Sequence, residues 1–141
     1  VTQRTMGARS KARKRALDLL YAADLRGETG EEALARVTDD DAAPHNPYTA
    51  ELVRGVSEHL ERIDDVLRQF AQGWSLARMA TVDRNVLRLG VFELLYVEDV
   101  PDHVAITEAM ALVKDLSTDE SPQFVNGVLG AIEREKPALT S

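Results

Sequence analysis

Apolar positions along the chain fall into stripes of helical spacing, separated by residues that start or stop helices. Ala16, Leu17, Leu20, Tyr21 and Ala23 share one face at about 100° per residue, with Ser10 as the predicted N-cap and Gly27 as the stop. Arg13 shares the azimuth of Leu17 and Leu20 one turn earlier, which predicts that the basic first turns project beyond the packed body. Thr29 is placed to cap a short second helix through Val37, followed by an acidic loop over residues 39–46. Asn46 followed by Pro47 is a strong start signal. From it, Leu52, Val56, Leu60, Ile63, Leu67 and Phe70 predict one long third helix running toward Gly73.

Ser75 opens a short turn holding Leu76 and Met79, and Thr81 is the predicted cap of a helix that is apolar on nearly every side. That helix, with Val82, Val86, Leu87, Leu89, Phe92, Leu94 and Leu95, belongs at the centre. Pro101 ends the segment, an amphipathic helix runs from Val104 to Leu116, and Ser121 with Pro122 repeats the cap-plus-proline device before Phe124, Val125, Val128, Leu129 and Ile132. The expectation is an all-α fold of about seven helices in a compact antiparallel array. One domain is expected over residues 1–141, with residues 1–8 disordered.

Composition agrees with that reading. A hydrophobic content of 44% closes one core in a chain of 141 residues, and aromatic residues at 5% with few β-branched runs favour helix. The absence of cysteine removes disulfides, thiolate metal sites and a cysteine nucleophile, as suits a reducing compartment, so a cytoplasmic location is expected. Apolar stretches are too short for a membrane span, and the basic start has no signal-peptide pattern. The net charge of −7 conceals a division. Residues 1–15 hold six cations (Arg4, Arg9, Lys11, Arg13, Lys14, Arg15) and no acid, leaving 11 cations against 24 acids, or −13, for the rest.

Catalytic signals are missing. His45, His59 and His103 are isolated from one another and from ligand-spaced carboxylates, the serines have no nucleophile-elbow setting, and the glycines are scattered. No enzyme activity, metal or cofactor is expected. The run Arg9, Lys11, Arg13, Lys14, Arg15 is the informative feature. Like charges this dense repel one another and oppose the positive end of the helix dipole unless an anion neutralises them, which points to RNA over a merely solvated face. Arg88, Glu93, Glu108 and Asn126 are polar residues in apolar surroundings and read as a structural network that fixes helix register. Phe124 fits either the core, one turn before Val128, or a stacking platform at the start of its helix.

Several segments together resemble one family. They are Ala8-Arg9-Ser10-Lys11-Ala12-Arg13 through Leu20-Tyr21, Trp74-Ser75-Leu76, Asp83-Arg84, Val86-Leu87-Arg88-Leu89, Phe92-Glu93-Leu94, Ile106 with Glu108-Ala109, and Phe124-Val125-Asn126-Gly127-Val128-Leu129. In this order they resemble NusB proteins over almost the whole chain. Thr107 departs from the Asn common there, and Ser117 to Pro122 differs from many members. The resemblance implies two small helical bundles and non-catalytic binding of boxA-type single-stranded RNA on nascent transcripts. The implied partners are NusE, a ribosomal protein, and the RNA polymerase antitermination complex with other Nus factors; some relatives form homodimers. It also implies RNA contact at Phe124, an influence of Glu120 on RNA affinity, and a place for Asp83 near the NusE and RNA surface. Two other readings are an RNA-binding fragment of a ribosomal-RNA cytosine methyltransferase, whose intact form needs a cysteine and a further domain, and a helical protein-interaction adaptor.

Overall fold

A computed structural model of the chain describes residues 7–38 and 46–140. Among these residues are eight α-helices: α1 (Ala8–Arg26), α2 (Gly30–Thr38), α3 (Pro47–Glu58), α4 (Leu60–Phe70), α5 (Thr81–Tyr96), α6 (Asp102–Leu116), α7 (Ser121–Arg134) and α8 (Lys136–Thr140), with one 3-10 turn at Leu76–Arg78. Helices α1, α2 and α3 pack on one another, while α4, α6 and α7 gather on the other side. Helix α5 touches both groups and is buried along most of its length, as a helix apolar on nearly every side must be. The expected all-α, two-bundle architecture is therefore present. Most of the disorder expected for residues 1–8, and the acidic loop up to His45, lie outside the described residues; Ala8 already belongs to α1.

Two start signals act locally. Thr29 accepts a hydrogen bond from the Glu32 backbone N–H at 3.1 Å while Glu32 accepts one from the Thr29 N–H at 2.8 Å, a reciprocal cap of α2. Asn46 accepts from Tyr48 N–H at 2.9 Å with Pro47 at the first helical position, and its amide also donates to the Ala8 carbonyl at 2.9 Å. The start of α3 is thus tied to the start of α1.

Three other predicted caps are corrected. Ser10, Thr81 and Ser121 lie inside their helices, whose N-cap positions are Gly7, Ala80 and Glu120. Ser10 donates to Glu108 at 2.6 Å and Ser121 to Asp83 at 2.8 Å. A hydroxyl that reaches a carboxylate on another helix makes a charge-assisted bond, stronger than a neutral cap. The predicted third helix is two helices, broken at His59, whose ring stacks on Tyr96 at 4.0 Å. Leu60 is accordingly exposed although it continues the apolar stripe. Helix α8 was not anticipated; Arg62 holds it by donating to the Leu139 carbonyl at 3.0 Å.

The largest departure concerns Arg13. It does not project into solvent: it is 5% exposed, and its Nε donates to both carboxylate oxygens of Glu93 at 2.9 Å. Its Nη1 reaches Glu108 at 3.1 Å, and the Tyr48 hydroxyl also donates to Glu93. Burial and the adjacent carboxylate push the Tyr48 hydroxyl up, so it stays a donor. Burial likewise pushes the Glu93 carboxyl up, against the pull of Tyr48 and Arg13. Of the expected polar network, Glu93 and Glu108 therefore share Arg13, Arg88 joins a separate cluster, and Asn126 is exposed. Replacing Arg13 with Ala leaves Glu93 buried without its cation, so urea unfolding should show a loss of about 3–5 kcal/mol.

Candidate nucleic-acid interface

Helical periodicity separates the cations of α1. With Arg13 turned inward, Lys11 and Lys14 are exposed and Arg15 is half-buried, and none of the three makes an ion pair among the described residues. Arg9 is exposed but engaged: it donates to Asp99 at 3.1 and 3.4 Å, and its guanidinium lies 4.2 Å from the Tyr48 ring centre. Farther along the helix, Tyr21 and Leu25 expose 38% and 62% of their surface. The outer face of α1 thus runs from unpaired cations to uncovered apolar side chains.

The other predicted site residues gather elsewhere. Phe124, Glu120 and Asp83 line one groove of about 590 Å³, together with Trp74, Arg78 and Gln123. Phe124 is half-buried, packed in part against the core, and its ring centre lies 5.3 Å from that of Trp74 at a tilt of 55°. Phe124 therefore both packs on the core and borders the groove. Glu120 is exposed at the rim. Asp83 is buried, and its two oxygens accept from Ser117 at 2.6 Å and Ser121 at 2.8 Å. Its carboxylate is occupied in holding the α6–α7 loop against α5, so it shapes the groove from behind.

The basic end and the groove are not contiguous. Arg13 meets α5 at Glu93, whereas the groove meets it at Asp83. Ten helical residues separate these points, a rise of roughly 15 Å along α5.

Sequence reasoning gave no role to Trp74, Arg84 or Asp24. Trp74 is 60% exposed in the connection between α4 and α5. Arg84 fixes that connection: Nη1 donates to the Leu76 carbonyl at 2.9 Å while Nε donates to Asp24 at 2.9 Å. Asn85 adds a 2.9 Å bond to Asp24, and Arg88 forks onto Asp64 with two bonds of 2.9 Å. A lone Trp beside a glycine, outside any apolar stripe, was the available signal for the first. The Arg84 contact had none, because it joins segments distant in sequence.

Residues 10–134 match the NusB family. This chain belongs to the NusB family. The transcription antitermination protein NusB of a Nocardioides species is 66% identical over 134 residues, spanning 95% of this chain and 99% of that protein. That of Saccharopolyspora erythraea is 60% identical over 129 residues, or 90% of this chain and 87% of that protein. Among solved structures, T. maritima NusB superposes with a TM-score of 0.80 at 36% identity, covering 93% of this chain and 94% of that one. A second, the crystal structure of antitermination factors NusB and NusE in complex with dsRNA, gives a TM-score of 0.79 at 33% identity, with 89% and 96% covered. As a NusB-family member the chain is a transcription antitermination factor, not an enzyme. Among the described residues no helix is long and apolar enough to cross a membrane.

The NusB fold here places a titratable group, Asp24, in the polar cluster between α1 and α5. Burial alone would raise the Asp24 carboxyl, but hydrogen bonds from Arg84 and Asn85, with the charges of Arg84 and Arg88, hold it below the ordinary value of 3.8. A carboxyl lowered in the folded state adds stability that is complete above the unfolded value and is lost as pH falls through the folded one. Urea midpoints followed from neutrality into acid should therefore fall more gently for Asp24→Asn than for the parent chain, from a lower neutral starting point.

Proposed function

We propose that this NusB-family chain binds boxA-type single-stranded RNA of nascent transcripts jointly with NusE. It does so in the cytoplasm, within the RNA polymerase antitermination complex that includes other Nus factors. The observation that carries this reading is the set of unpaired cations, Lys11, Lys14 and Arg15, on one end of a chain whose net charge is −7. Among the described residues none forms an ion pair with them. Phosphates satisfy such a cluster, and Arg9 joins it when a phosphate displaces Asp99.

A strand that also reaches Phe124 spans the roughly 15 Å to the groove, where an unpaired base stacks and Glu120 borders it. The solved NusB and NusE pair is in complex with dsRNA. The aromatic groove favours a single strand here, because only an unpaired base exposes both faces, and a duplex of the same sequence is the direct comparison. The acidic body repels RNA beyond the cationic end, which is where NusE contributes. Tyr21 and Leu25 offer an apolar contact on the same helix face for that protein, and a second copy in a homodimer is the alternative occupant.

Three phosphate contacts give a slope of about −2 in a plot of log affinity against log salt. The double variant Lys14→Ala with Arg15→Ala should flatten this slope, while an unchanged slope and affinity would remove the cationic end from the interface. RNA and NusE should also reinforce each other by about 1–3 kcal/mol, equal whichever is added first. Titrations of each partner with and without the other close this cycle; no coupling at low salt would reject shared binding.

A further inference from the structure

Trp74 occupies a position that the core does not require. It is 60% exposed and stands between two helices, yet the chain around it is held firmly. Gly73 has a φ of 84°, a left-handed conformation that favours glycine, and open space where a Cβ would sit. The glycine is there for its backbone turn and not for close packing. The turn directs Trp74, whose backbone N–H donates to the Ala71 carbonyl at 3.1 Å. On the other side, Leu76 and Met79 are buried and the Leu76 carbonyl is gripped by Arg84. A large apolar ring is thus presented to solvent on a fixed support, at 5.3 Å from Phe124.

We infer that Trp74 is the second element of a nucleobase site: its ring and that of Phe124, in mutual contact, form one aromatic surface against which one unstacked base of a bound single strand packs. The inference rests on the RNA-binding reading above and adds to it a residue and a defined occupant. The groove that both rings line has a volume of about 590 Å³, ample for a base. Its rim carries Arg78 and Gln123 as donors and Glu120 as an acceptor, which match the donor and acceptor edges of a base. The two carboxylates of Asp83 and Glu120 make it a poor place for a phosphate, so the strand enters base first with its backbone toward solvent. A tilted pair of aromatic faces tolerates any base, because each has a π-face.

The chain contains one tryptophan, so emission excited at wavelengths that tyrosine does not absorb reports on this groove. The probe is a boxA-like single-stranded oligoribonucleotide, titrated into the full chain while RNA anisotropy is followed through an independent label. Trp74 emission should be quenched in step with the anisotropy change. Trp74→Ala should weaken affinity by about five- to a hundredfold with an unchanged salt slope, and Trp74→Phe should recover most of the loss. Melting of each variant checks folding, and quenching of the parent chain stands whatever the variants do. RNA that binds without altering Trp74 emission, and binds Trp74→Ala as tightly, overturns the inference and leaves RNA binding intact. No RNA binding at low salt overturns both. A Trp74 signal that answers to NusE alone and not to RNA assigns the groove to the protein interface, and overturns the inference as well.

Discussion

The fork of Arg13 into Glu93 is the contact on which the remainder of the molecule depends. It lies in the core between α1 and α5, with Tyr48 of α3 and Glu108 of α6 completing it, so one guanidinium joins four helices. Two buried charges are costly to remove from water, and the cost is offset only when geometry and additional hydrogen bonds are good. Here the Glu93 carboxylate is met by two Arg13 bonds and the Tyr48 hydroxyl, while Ser10 and Arg13 both donate to one oxygen of Glu108. Among the described residues no buried side-chain nitrogen or oxygen lacks a partner. An ion pair of this kind specifies register: a helix slipped by one residue would leave a charge unpaired, whereas an apolar seam would tolerate the slip.

This contact also arranges the surface. Because α1 repeats every 3.6 residues, anchoring Arg13 inward obliges Lys11 and Lys14 outward. The cationic face exists as a consequence of how the helix is docked. A second polar cluster acts similarly at the other end of α5, where Asp24, Arg84, Asn85, Arg88 and Asp64 bind α1, α4 and the 3-10 turn together. One cluster orients the charges and the other fixes the strip of chain that bears the exposed tryptophan. Both halves of the proposed RNA surface are therefore prearranged, which limits the ordering entropy that binding must offset.

Long-range charge and short-range shape serve different parts of that surface. The cations sit in the first turns of α1, and the groove is lined by Asp83 and Glu120. On the proposed reading, a single strand that visited both would be held by phosphate contacts at one end and by stacking at the other, with different responses to salt.

The helices and two of their caps were legible in the sequence, because both depend on neighbours within a few positions. Apolar stripes, Asn46-Pro47 and the Thr29–Glu32 pair act over one turn, and the chain order of the family segments extended the reading to the whole fold. The site was legible in its residue types only. That Phe124, Glu120 and Asp83 share one groove was not legible in the sequence, and the run of cations did not show that Arg13 turns inward. Nor did the stripe through Leu60 reveal the break at His59, or the hydroxyls of Ser10 and Ser121 their carboxylate partners. In each case the deciding partner lies far away in the chain, among them Glu93 for Arg13, Tyr96 for His59 and Asp83 for Ser121. A local pattern limits what a residue can do; only packing brings together the charges and rings that determine what it does.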